Sequence, residues 1–237
     1  PLVINSSLAH CPNSWDHLCY IVYQKKQYKK TAYYQVTQNS RSSIKRDRGK
    51  YGEYTLYKRL QHLERTGGKF LFNVYVPKWN GETTEIDMLL ICSKGLFVFE
   101  SKNYSGWIFG NERNKNWTQT LPVGRRRSHK ERFYNPIMQN DTHIKHLRRV
   151  VGDSLPMHSI IVFSDECTLK DVTVHSDVPV IYSYEIASTV DGICNQSSDC
   201  LNEIEVNNLY TQLYPYTQVD GKAKERHVES ALEKIKQ

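Results

Sequence analysis

Two short apolar runs, separated by only a few residues, constrain the fold of this chain more than any other feature. Residues 86–91 read IDMLLI and residues 95–100 read GLFVFE. Runs that are apolar at nearly every position are typical of central strands covered on both faces. The connection over residues 92–95 is so short that the two strands should be antiparallel neighbours. The pair therefore predicts the centre of a β-sheet with helices packed on it.

Charged residues interrupt or end both runs. Asp87 lies inside the first run, Glu100 ends the second, and Lys102 follows two residues later. Because side chains alternate along a strand, Glu85 and Asp87 share one face of the first strand, and Glu100 and Lys102 share one face of the second. A buried charge is costly unless it is paired or bound to a metal ion. We therefore expect Asp87, Glu100 and Lys102 to converge in one site.

Two carboxylates and an ammonium suit metal-dependent hydrolysis of a phosphodiester. Carboxylate oxygens favour a hard cation such as Mg²⁺ or Mn²⁺, and the backbone carbonyl of Ser101 is a further candidate ligand beside Asp87 and Glu100. The ammonium of Lys102 can orient an attacking water and stabilise negative charge as it develops. The same spacing also occurs at ordinary strand ends whose charged side chains face solvent. The surrounding sequence has to decide between these interpretations.

A third carboxylate comes from a helix predicted over residues 51–65. Leu56, Leu60 and Leu63 fall on one face of that helix, and Glu53 lies three residues before Leu56 on the same face. A glutamate on this face points inward. Two interpretations stay open: a role in the metal site, or a first-turn glutamate favoured by the helix dipole.

A second helix, predicted over residues 136–151, brings further polar groups toward the same sheet. A proline suits its first turn, and Ile137, Ile144 and Leu147 lie on its buried stripe. Gln139 and His143 are four residues apart on the flank of that stripe. They can contact a nucleotide or steady the metal site, or they can form a hydrogen-bonded pair at the edge of the core.

The other elements follow from apolar periodicity and from turn residues. We predict a helical arm over residues 14–36, a polar linker over 37–49, and a loop over 191–200. Further strands are expected near 69–76, 158–164 and 178–183, with a hairpin of 107–110 and 117–120. Two more helices are expected near 201–213 and 224–236. The last of these can pack on the domain or on a second copy of the chain, which would make a homodimer.

Positive charge is concentrated in a few stretches of the chain. The net charge is +7 with a pI of about 9.0, and one cluster lies in a loop predicted over residues 121–135. Basic runs of this kind suit a polyanion, and binding would be strongly salt-dependent. The alternative is a solvated surface. The candidate nucleic-acid contacts in that loop are Arg125, Arg126, Arg127, Lys130 and Arg132.

Cysteine usage and hydropathy point to an intracellular protein. The six cysteines include no C-x-x-C pair, so neither a zinc site nor a disulfide framework is indicated. No run of 18 apolar residues is present, so no membrane span is expected. A cytoplasmic location is the expectation, although the start at Pro1 leaves room for a targeting or anchoring segment that has been removed.

Taken in order, these residues resemble the nuclease-related domain (NERD) family of the PD-(D/E)XK nuclease superfamily. The resemblance covers roughly residues 50–165 and is far more specific than the strand motif alone. The matching pieces are Gly52 and Glu53, EID at 85–87, GLFVFESKNY at 95–104, GWIFG at 106–110, Trp117, Gln119, Asn135, Pro136, Gln139, Asn140, His143 and Leu147.

The resemblance implies a fold, an activity and a set of roles. The fold would be α/β, a PD-(D/E)XK core with a central mixed β-sheet flanked by helices. The N-terminal arm and linker would occupy residues 1–49, the nuclease-like domain 50–185 and a C-terminal helical extension 186–237. Asp87, Glu100 and Lys102 would take the core catalytic positions, Glu53 the acidic position of the first helix, and Gln139 with His143 the polar pair of the helix after the core.

The expected activity is Mg²⁺- or Mn²⁺-dependent hydrolysis of DNA, as an endonuclease. The chain contains neither a G-x-x-x-x-G-K-[ST] phosphate loop nor a kinase signature, so an ATP-driven activity is not indicated. Two other functions stay open at this point. One is a nucleic-acid-binding or interaction module that keeps the fold without turnover, and the other is a nuclease directed at RNA.

Overall fold

A computed structural model of the chain describes residues 14–124 and 127–219, with side chains from residue 18 onward. Its helices are α1 (Ser14–Lys29), α2 (Ala32–Thr37), α3 (Arg41–Arg46), α4 (Arg48–Leu60), α5 (Pro136–Val151), α6 (Ile186–Gln196) and α7 (Glu203–Leu213). Its strands are β1 (Lys69–Pro77), β2 (Thr83–Cys92), β3 (Gly95–Lys102), β4 (Gly106–Asn111), β5 (Asn116–Val123), β6 (Arg127–Tyr134), β7 (Met157–Phe163), β8 (Cys167–Thr173) and β9 (Val180–Tyr182).

The main sheet has the order β1-β2-β3-β7-β9. Its first three strands are antiparallel and its last three are parallel, so the sheet is mixed. Helices α4 and α5 lie on opposite faces of it. Gly52 of α4 packs against Ser101, whereas Gln139 of α5 contacts Lys102, and neighbouring side chains of a strand point to opposite faces of the sheet. The predicted α/β class with a central mixed sheet flanked by helices is confirmed.

Strands β2 and β3 pair tightly at one end and part at the other. They are antiparallel neighbours from the Cys92 and Gly95 pair to the Met88 and Phe99 pair, as the short connection predicts. Beyond that point the first half of β2 continues to pair with β1, while the end of β3 continues to pair with β7. Asp87 and Glu100, the next residue on each strand, therefore stand at the mouth of a fork.

A second sheet, of order β6-β5-β4-β8, extends from the end of β3. The predicted hairpin is confirmed as β4 and β5, but the loop expected over residues 121–135 is wrong for most of its length. Strand β5 runs to Val123, and β6 pairs with it over eight residues. Strand β6 was missed because it lacks the alternation of apolar and polar residues: Phe133 is its one partly buried hydrophobic side chain. Charged edge strands of this kind resist pairing with other chains.

Three further expectations differ from the structure. The polar linker over 37–49 contains α3 and the start of α4, each begun by a side-chain cap, Ser40 for α3 and Asp47 for α4. The loop expected at 191–200 is helical as far as Gln196, because Ile186, Val190 and Ile193 continue a helical stripe. Strand β8 was not anticipated, and the helix expected at 224–236 lies outside the described residues.

Both flanking segments contribute to the main core. Tyr33 and Val36 of α2 and Val206 and Leu213 of α7 are buried in the same cluster as the strands β1 to β3. The three-part division of the chain stays a prediction. Within residues 14–124 and 127–219, no helix has the length and apolar character needed to cross a bilayer.

Candidate active site

Glu100 and Lys102 form a buried ion pair at the end of β3. The ammonium Nζ of Lys102 lies 2.5 Å from Oε1 of Glu100 and also donates to Oε1 of Gln139 at 3.1 Å. The Glu100 side chain is 1% exposed. Burial alone would lower the pKa of Lys102, but the carboxylates of Glu100 and Asp87 outweigh it and raise that pKa. Lys102 is therefore an ammonium at neutral pH, and acts as a hydrogen-bond donor.

The second oxygen of Glu100 is held by His143 from α5. Nε2 of His143 lies 3.1 Å from Oε2 of Glu100, and Nδ1 lies 2.6 Å from the hydroxyl of Thr84 on β2. Burial would raise the pKa of Glu100, but Lys102 and His143 together lower it, so Glu100 is a carboxylate. A carboxylate can only accept, so Nε2 of His143 donates to Glu100, while Nδ1 shares its hydrogen bond with the Thr84 hydroxyl.

Asp87 bridges the fork between β2 and β3. Its Oδ2 accepts a hydrogen bond of 2.8 Å from the backbone N–H of Ser101. Burial and the negative charges of Glu100 and Glu53 raise the pKa of Asp87 well above its ordinary value, although Lys102 opposes the shift. Asp87 is therefore a buried carboxyl group whose ionised form is disfavoured first by burial and then by the carboxylates beside it.

Glu53 approaches from α4, as its helical spacing predicts. It is 9% exposed, and its Oε2 is buried without a hydrogen-bond partner. Burial raises its pKa to about 8, with Glu85 adding to the shift and a hydrogen bond from Asn73 opposing it. A buried carboxylate oxygen without a partner is costly, and a cation would offset that cost.

The donors at the fork fit a hard divalent cation better than a soft one. They are carboxylate oxygens and the backbone carbonyl of Ser101, the ligand types that Mg²⁺ and Mn²⁺ prefer. Burial raises the pKa values of Asp87 and Glu53, and Oε2 of Glu53 has no hydrogen-bond partner, so a cation at this position would stabilise both carboxylates. Within the described ranges, no group of three or more His, Cys, Asp or Glu side chains is arranged to hold a metal ion. Any ion would be held by two or three carboxylates together with backbone oxygen.

The predicted nucleic-acid contacts lie on both faces of β6. Arg127, Lys130 and Arg132 are all exposed. Alternation places Arg127 on the side of Phe133, which packs against Tyr104 beside the site, and places Lys130 and Arg132 on the other side. Arg132 lines a polar cavity on that outer face together with Asp171. Arg125 and Arg126 lie outside the described residues, and His143, predicted as a further contact, is instead buried against Glu100.

Two residues of the site were missed by reasoning from the sequence. Asn73 interrupts the apolar run of β1 in a left-handed conformation, with φ of 50°, and touches Glu53. Thr84 holds the ring of His143 in one orientation through Nδ1. A polar residue inside a buried strand was an available signal for Asn73. The role of Thr84 depends on how α5 docks on the sheet, which no local pattern encodes.

Comparison with known proteins gives a family match over the region of this site. A family model described as nuclease-related domain matches residues 48–164, a range that contains Glu53, Asp87, Glu100, Lys102, Gln139 and His143. An uncharacterized protein of Bacillus anthracis is 34% identical over 182 residues, which span 76% of this chain and 82% of that protein. No solved structure matches the chain.

Proposed function

The chain belongs to the nuclease-related domain family, and from that membership we propose that it is a Mg²⁺- or Mn²⁺-dependent nuclease that hydrolyses phosphodiester bonds in DNA. The observation that carries the proposal is the convergence at the fork: Asp87 and Glu100 stand at its mouth, and Lys102 forms an ion pair with Glu100. Glu53 adds a carboxylate oxygen without a partner. The endonucleolytic mode and the preference for DNA belong to the proposal.

Asp87, Glu100 and the Ser101 carbonyl would hold the metal ion, with Glu53 nearby. A bound Mg²⁺ or Mn²⁺ supplies Lewis acidity toward water and phosphate. Lys102 remains protonated, so it orients the attacking water by donating to it and stabilises negative charge that develops on the phosphate. Gln139 holds the ammonium of Lys102 from the α5 side, and His143 holds Glu100 in one orientation.

Cleavage of plasmid and linear DNA tests the proposal directly. We expect wild-type protein to cut in Mg²⁺ and not in EDTA, and Glu100→Gln and Lys102→Met to lose about 10²-fold or more in rate, the usual cost of removing a group that stabilises transition-state charge. Lys170→Met, an exposed site on β8, makes the same charge change away from the fork and should cut normally. Circular dichroism would verify that each variant is folded. Equal cleavage by all four proteins would refute the proposal.

A binding module without turnover is the second candidate. It is favoured by one observation: both oxygens of Glu100 already have partners, Lys102 and His143, so the network is satisfied without a metal ion. Such a protein would bind DNA with a steep salt dependence, yet would show no heat of Mg²⁺ binding and no cleavage. A metal site acts on the phosphodiester and not on the sugar, so RNA is also a candidate substrate. Competition between DNA and RNA in the same cleavage assay separates a DNA-directed nuclease from an RNA-directed one.

A further inference from the structure

An aromatic side chain stands exposed at the tip of the turn between β1 and β2. Trp79 is 79% exposed, the highest value among the large hydrophobic side chains of the described ranges. The turn that carries it is well ordered by hydrogen bonds: the N–H of Lys78 donates to the carbonyl of Glu82 at 2.8 Å, and Gly81 adopts φ of 80°. An exposed indole on a structured turn presents a flat aromatic face to a partner.

The guanidinium of Arg149, an exposed residue of the last turn of α5, lies over this ring. Its Cζ is 3.2 Å from the centre of the Trp79 ring. The two planar groups form one flat, positively charged unit. Lys145, one turn earlier on α5, is also exposed. The pKa of His146 is lowered mainly by burial, and the positive charges of Arg149 and Lys78 add to that shift. Arg149 thus places a positive charge on one face of the indole, whereas Lys78 in the same turn is paired with Glu82.

The position of this pair relates it to the candidate active site. Arg149 and Gln139 are ten residues apart on α5, so they are separated by about 15 Å along the helix axis. That spacing corresponds to about four nucleotides at 3.4 Å per step of a nucleic-acid strand. A DNA strand that followed α5 from Lys102 would therefore come to the turn of the helix that carries Arg149 after about four nucleotides.

We propose that Trp79 and Arg149 form a stacking platform for an unpaired base of the DNA substrate, a few nucleotides from the bond that is cut. The inference rests on the proposed function and makes it more specific: the substrate class is DNA with single-stranded or splayed segments. Bases in a duplex already stack on each other, whereas an unpaired base offers its face to an indole or a guanidinium. The platform is tolerant of sequence because every base has such a face.

Binding in EDTA tests the platform separately from cleavage. Fluorescence anisotropy would compare a labelled single strand, a blunt duplex, and the same duplex with an overhang. We expect Trp79→Ala to weaken binding of the single strand and of the overhang by about 5- to 150-fold, the range for loss of one base stack, and to leave the blunt duplex unchanged. Trp79→Phe should restore most of the loss. Trp107→Ala, a second exposed tryptophan on β4, serves as the matched control and should bind like wild type.

Two results would overturn the inference. One is unchanged single-strand binding by Trp79→Ala, and the other is an equal loss for single strand and blunt duplex together with a lower unfolding temperature, which is the behaviour of a purely structural clamp on α5. Because binding is measured without metal, these results are distinct from a failure of the nuclease proposal. A protein that never cuts, but loses single-strand binding on Trp79→Ala, would keep the platform and reject the nuclease.

Discussion

Nε2 of His143 lies 3.1 Å from Oε2 of Glu100, and this contact joins α5 to the end of β3 inside the core. The imidazole is in turn fixed by the Thr84 hydroxyl, so a chain of two hydrogen bonds runs from β2 through α5 to β3. Its geometry resembles the outer-shell support that metal ligands commonly receive. His143 is thus a positioning residue for Glu100.

Removal of this support should weaken metal binding. We expect His143→Leu to raise the Mg²⁺ concentration for half-maximal cleavage by about 10- to 100-fold, the usual effect of losing an outer-shell partner. Thr84→Val should act in the same direction with a smaller effect, because it leaves Nδ1 without its hydrogen-bond partner. Thr168→Val, an exposed site on β8, is the matched control. An unaltered Mg²⁺ dependence in His143→Leu would contradict the positioning role.

The pKa of Glu53 predicts how the stability of the metal-free protein depends on pH. The ordinary value is 4.5 and burial raises it to about 8, so between these values the folded protein keeps a proton that the unfolded chain releases. This contribution is complete below about pH 4.5 and is lost as the pH rises through about 8. We expect the free energy of unfolding in EDTA to fall across that window.

Glu53→Gln should make this dependence shallower. At about pH 8 the variant should exceed wild type by an amount on the order of a few kcal/mol, measured by urea unfolding, and the difference should vanish near pH 4.5. Some slope should remain, because the pKa of Asp87 is raised in the same direction. Glu203→Gln, at the exposed start of α7, should leave the slope as it is. Identical pH profiles for wild type and Glu53→Gln would be inconsistent with a buried, protonated Glu53.

Gln139 should affect the rate of cleavage and not the affinity for DNA. Its Oε1 accepts a hydrogen bond from the ammonium of Lys102, which also donates to Glu100. We expect Gln139→Leu to lower kcat by about 10- to 100-fold with KM for DNA unchanged, because the acceptor that positions Lys102 is lost. Gln212→Leu removes an exposed hydrogen bond from α7 to α5 and should be neutral. A rise in KM with normal kcat would show that Gln139 contacts DNA instead.

The two faces of β6 should contribute unequally to DNA binding. Arg127 shares a side with Phe133 and the site, whereas Arg132 faces the outer cavity with Asp171. We expect Arg127→Gln to weaken binding uniformly across sequences and to reduce the slope of log K against log salt by about 0.9, the value for one phosphate contact. Arg132→Gln should leave the slope unchanged. Equal effects of both substitutions would indicate only a general electrostatic attraction.

The sequence predicted those parts of the site that depend on local periodicity. Asp87, Glu100 and Lys102 could be predicted from the sequence because each interrupts or ends an apolar strand. Glu53 could be predicted because it continues a leucine stripe. Strand β6 could not be predicted from the sequence, since its charged side chains are typical of a loop and only the pairing with β5 makes it a strand. The partners of His143 were equally hidden, because helix docking brings Glu100 and Thr84 to the same ring from two strands.

In the proposed mechanism, Asp87 and Glu100 hold a divalent ion that cleavage requires. A crystal soaked in Mn²⁺ tests it most directly, because anomalous scattering locates manganese independently of the protein phases. We predict a peak between the carboxylates of Asp87 and Glu100, within ligand distance of the Ser101 carbonyl and absent from Asp87→Asn crystals. Well-ordered density at the fork with no such peak, and with Lys102 paired to Glu100 at about the 2.5 Å described above, would contradict a metal site at Asp87 and Glu100.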